Sequence, residues 1–133
     1  MSLKKLMLVI VTSLIVIGGA GAMIMHGKIE EIMEKGFKKG GLRHQLSTEI
    51  DKDQPNWAAV EKNAKAFSTM CVNLCKEKAP QGDAESWKKL TEQLAKQAQT
   101  LSSAAGKKDL ANAKTAITKI NGSCKECHDA HRP

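Results

Sequence analysis

A chain of 133 residues, 41% hydrophobic and 26% charged, holds one globular domain and a short leader, which excludes a multidomain protein and a disordered one. The formal charge is +7, but the lysines are spread along every segment with acids between them, and Arg occurs only at Arg43 and Arg132. That pattern reads as a solvated surface able to dock on an acidic protein, and no nucleic-acid partner is expected. Aromatics amount to 3% with no Tyr, so small aliphatics or a bound apolar group must fill the core.

Lys4 and Lys5 precede an uncharged run from Leu6 to Met25, whose later part is Gly18-Gly19-Ala20-Gly21-Ala22. A basic start, an apolar stretch and an A-x-A-like end make residues 1–22 a secretory signal peptide cleaved after Ala22. The competing reading is a retained membrane anchor, because the run reaches spanning length. Both make residues 23–133 an exported domain, periplasmic and, in the second case, held to the membrane through its N-terminus.

From His26 onward, Ile29, Ile32, Met33 and Phe37 fall at helical spacings, and Leu42, Leu46 and Ile50 extend them. Gly36 weakens this first helix, and Gly40-Gly41 ends or bends it. Trp57, Val60, Ala64, Phe67, Cys71 and Leu74 form the seam of a second helix, stopped by Pro80 and Gly82. Asp83 is a fitting N-cap for a third, with seam Trp87, Leu90, Leu94, Ala98, Leu101 and Ala105, closed by Gly106. A fourth starts near Asp109, with Leu110, Ala113, Ile117, Ile120, Cys124, Cys127 and His131 on one stripe. Four single-seam helices joined by short loops predict an all-α, antiparallel up-down four-helix bundle.

The chemistry lies at the end of that last stripe, in Cys124-Lys125-Glu126-Cys127-His128. C-x-x-C-H is the attachment sequence for c-type haem, in which two thiols bond the vinyl groups and the imidazole becomes an axial iron ligand. On a helix the three side chains share one face. Zinc held by these two thiols with Cys71 and Cys75 is an alternative, and so is a redox dithiol, although no strand pattern precedes the motif.

Cys124 to Arg132 resembles the C-terminal haem signature of class II cytochromes c, the cytochrome c′ family: exported four-helix bundles with C-x-x-C-H near the end of the last helix. The resemblance implies one covalent haem c with its iron, thioether bonds at Cys124 and Cys127, His128 as proximal ligand, and Arg132 near a propionate. It also implies homodimers formed through helix faces. In the low-spin branch a first-helix Met takes the sixth iron position, and Met33 lies in the corresponding region. In the other branch that position is open and binds nitric oxide or carbon monoxide.

A core residue is the bland reading of Met33. Met23 and Met25 are weaker ligand candidates, and His26 and His44 offer bis-His ligation. Cys71 and Cys75 read as core thiols, a strained disulfide or an irregular second haem site. No acid, base or nucleophile constellation appears, so the expected role is carriage of single electrons between redox partner proteins, not enzymatic turnover. A zinc-stapled interaction module is the alternative from a different class.

Overall fold

The computed structural model describes residues 27–133. The leader with its Ala22 cleavage point, and Met23, Met25 and His26, lie outside the described residues. Five α-helices follow in order: α1 Lys28–Ile32, α2 Leu42–Ile50, α3 Trp57–Cys75, α4 Ala84–Gly106 and α5 Leu110–His131. Among the described residues there is no strand, and no helix is long and apolar enough to cross a membrane. α3 packs on α4 and α4 on α5, while α2 packs against both α3 and α5. With α1 and α2 as two pieces of the first rod, this is the expected four-helix bundle.

The first rod is broken at Gly40-Gly41, where the sequence suggested an end or a bend, and its irregularity begins earlier, around Gly36. α1 runs into a π turn, Met33–Phe37, in which the Lys38 N–H reaches the Met33 carbonyl at 2.9 Å. Such turns hold one extra residue and are frequent at functional sites. Gly36 is buried at this point: a Cβ there would stand 3.3 Å from the Met70 Sδ and 3.8 Å from the Phe67 ring. The turn therefore lies directly on α3, and the Phe37 ring packs on Phe67 with centroids 5.1 Å apart. Gly40, at φ +86°, then bends the chain into α2, which continues in the same direction along α3.

The remaining boundaries follow from local chemistry. Side-chain carboxylate or amide oxygens cap α3, α4 and α5: Asn56 accepts from the Ala59 N–H, Asp83 from Ser86 and Asp109 from Asn112. Each such cap stabilises its helix by about 1 kcal/mol. α4 ends in a Schellman arrangement, Asp109 N–H to Ala104 carbonyl at 2.9 Å and Lys108 N–H to Ala105 carbonyl at 3.1 Å. The left-handed residue is Lys108, at φ 54°, rather than the expected Gly106, which is still helical.

The core is aliphatic. Leu46, Ile50, Val60, Ala64, Phe67, Cys71, Leu74, Leu101 and Ile120 are fully buried. Burying a side chain the size of Leu or Phe contributes about 1.5–3 kcal/mol, and Ala residues on α4 and α5 let the helices approach closely.

Candidate haem-attachment site

Because the helices alternate in direction, the start of the first rod, the end of α3, the start of α4 and the end of α5 share one end of the bundle. Lys28 pairs with Glu77 at 3.8 Å, and the Glu77 carbonyl accepts from the Trp87 indole N–H at 2.8 Å. The Trp87 ring meets His131 edge-on, with centroids 5.3 Å apart. This end carries both Met33 and the C-x-x-C-H stretch.

On α5 the expected seam holds through Ile120, and the helix then becomes more open. Cys124 and Cys127 are half-buried free thiols, and His128 is exposed. The Cys124 thiol lies 3.8 Å from the Ile120 carbonyl. Burial pushes the Cys127 thiol above its ordinary pKa, with the negative charges of Cys124 and Glu126 adding to the effect. Arg132 is exposed just past the helix, where its backbone N–H bonds the His128 carbonyl at 3.1 Å. Lys125 and Asp129 pair on the outer face.

Met33 is half-buried at the first position of the π turn and packs on the core. α1 leans on α3, and it is α2 that packs against α5. The flank between the π turn and the end of α5 is bordered by Arg43, whose Nη1 donates to the Asn121 Oδ1 at 2.7 Å and whose Nη2 donates to the Phe37 carbonyl at 3.2 Å. Its Nε is buried without an acceptor. A buried guanidinium N–H with no partner is costly unless an anionic or carbonyl oxygen reaches it.

These residues fit a covalently held haem. The donor set has two free thiols three positions apart, an exposed imidazole beside the second, and a thioether at the same end of the bundle. A propionate carboxylate is the kind of acceptor that the Arg43 Nε lacks. The zinc alternative fares worse, since among the described residues no three His, Cys, Asp or Glu side chains converge to hold a metal ion. Cys71 is buried on α3, and its neighbour Cys75 donates to the Cys71 carbonyl at 3.4 Å. All four cysteines are free, so the strained disulfide is not formed. His44, the described half of the bis-His alternative, is exposed on α2.

Sequence reasoning missed two residues. Arg43 was read only as part of the charge total, although it is the single Arg of the first rod and follows directly on the Gly40-Gly41 break. His131 was placed on the seam without a role. Its ring is buried, with Nδ1 2.8 Å from the Gln81 carbonyl and Nε2 3.1 Å from the Ser86 hydroxyl. A polar residue on an apolar stripe was the available signal.

The family model described as Cytochrome C′ matches residues 34–132, a stretch that includes Cys124, Cys127, His128 and Arg132 and begins one position after Met33. No curated protein and no solved structure matches the chain. A match over this much of the chain, on a four-helix bundle that ends in C-x-x-C-H, makes the protein a member of the cytochrome c′ family of monohaem c-type cytochromes.

Proposed function

We infer that this protein is an exported electron carrier whose one haem is held by thioether bonds at Cys124 and Cys127, with His128 as proximal ligand and Met33 as distal ligand. The observation that carries the reading is the arrangement at one end of the bundle. Two free thiols and an open imidazole follow one another on α5, and a half-buried thioether begins the π turn of the first rod.

Cys124 and Cys127 would hold the haem through thioether bonds, each S–H adding across a vinyl group with its hydrogen passing to the other vinyl carbon, so that no oxidant would be consumed. The bound haem supplies an iron that gains and loses one electron, at a potential set by the axial ligands and by burial. The apolar side chains Ile32, Leu74 and Trp87 limit water at this end. Arg43 and Arg132 offset the propionate charge. The surface lysines meet an acidic redox partner.

A second reading, a five-coordinate iron that takes up nitric oxide or carbon monoxide, is favoured by the lean of α1 onto α3 and by the start of the family match just past Met33. Protein produced with haem-attachment machinery decides between them. Electron carriage predicts a mass increased by one haem and a sharp low-spin reduced spectrum. A broad high-spin spectrum would support gas binding, and a colourless protein would remove both readings.

A further inference from the structure

We propose that His131 is a positioning residue for the proximal ligand: its ring pins the last turn of α5 to the α3–α4 loop and so fixes the rotation of that turn about the helix axis. The proposal rests on the reading that His128 ligates a haem iron.

In the last turns of α5, Lys125, Glu126, His128, Asp129 and Ala130 are exposed, and Cys124 and Cys127 are half-buried. His131 is only 2% exposed and has both ring nitrogens engaged. A carbonyl can only accept, so Nδ1 carries a proton and donates it to Gln81; in the neutral ring Nε2 then accepts from the Ser86 hydroxyl. The ring edge also rests on Trp87, whose own N–H is tied to the Glu77 carbonyl.

Two further contacts close the same joint. The Gln81 side-chain amide donates to the Arg132 carbonyl at 2.6 Å. Gly82, at φ +81°, brings the loop so near that a Cβ would stand 2.5 Å from the Ala130 carbonyl and 3.0 Å from the His131 ring. The helix end is thus held on the side of His131 and Arg132, while His128, one turn earlier, is open. Rotation of that turn would carry the His128 ring with it, because consecutive positions are rigidly phased by the helix.

An axial ligand's hold on iron depends on such support from residues beyond the ligand itself. His131 supplies it through its bonds to Gln81 and Ser86.

The test uses the haem-loaded protein in wild-type, His131→Phe, Ser86→Ala and Ser86→Thr forms, with the midpoint potential and the thermal midpoint both recorded. His131→Phe fills the same space and loses both ring hydrogen bonds. It is expected to shift the redox equilibrium by at least about threefold, which is about 28 mV at about 59 mV per decade for one electron. Ser86→Ala leaves the Asp83 cap on the backbone intact and shifts the potential in the same sense by less; Ser86→Thr, which keeps a hydroxyl, returns it to the wild-type value. Unchanged potentials in a coloured protein overturn the proposal and leave the haem reading standing, whatever the thermal midpoint does. A colourless wild type overturns the haem reading and this proposal with it. Where His131→Phe does not fold, the two Ser86 variants decide.

Discussion

Arg43 and Asn121, 78 positions apart in the sequence, meet through an Nη1–H to Oδ1 hydrogen bond of 2.7 Å. Asn121 in turn donates to the Ser47 hydroxyl at 3.3 Å, and Arg43 also holds the Phe37 carbonyl. One guanidinium therefore ties the π turn and α2 to the helix that carries the haem motif. Arg43→Met is expected to lower stability by about 1–2 kcal/mol, and Asn121→Ala by less than about 1 kcal/mol. Urea unfolding of the two single variants and the double variant measures their coupling. Strictly additive effects would show that the bond contributes nothing of its own.

Gly40 and Gly82 both sit at positive φ, +86° and +81°, but only Gly82 is crowded. A Cβ at Gly40 meets nothing within 4 Å, so Gly40→Ala costs only backbone strain, about 1–2 kcal/mol. Gly82→Ala adds a clash with the Ala130 carbonyl and should cost clearly more. Equal losses in thermal unfolding would mean that the loop yields freely and does not hold the end of α5.

Burial, with the charge of Cys75 adding to it, pushes the Cys71 thiol up to about 12. The unfolded chain releases this proton near the ordinary value of about 9. Its contribution is therefore complete below about pH 9 and is lost as pH rises from there towards about 12. Cys71→Ala should flatten the alkaline fall in stability across that window. An unchanged slope in unfolding measured against pH would place the sensitivity elsewhere.

Met33→Leu keeps an apolar side chain of similar volume and removes the thioether. With Met33 as distal ligand, the absorption spectrum changes from low-spin to high-spin, while the helical circular dichroism stays close to wild type. A spectrum identical to wild type would take Met33 out of the iron's coordination and leave the bundle intact.

The helices were legible wherever burial alone decides. Every residue of the α3 seam except Trp57 is buried, and Asp83 and Asp109 cap as their positions suggested. On α4 the seam was too narrow: Thr91, Ala95 and Ala104 are buried as well, because a helix inside a bundle covers a wider stripe than an a/d pair. The placing of Cys124, Cys127 and His128 on one helix was legible because it depends on local spacing alone. Arg43 and His131 were not, since their partners Asn121, Phe37, Gln81 and Ser86 come from distant segments that only the packed bundle brings together. The π turn escaped for a different reason: a reading in steps of 3.6 residues assumes the very regularity that the turn breaks.

That turn sets the phase of the first rod. Each residue of an α-helix advances about 100° around its axis, so shortening residues 33–37 by one would swing everything before them by roughly that angle relative to Phe37 and its seat on Phe67. Ile29 and Ile32 would then point along a different bearing, with no side chain of α1 replaced. The length of this one turn, as much as the side chains it carries, governs which face of α1 rests on α3.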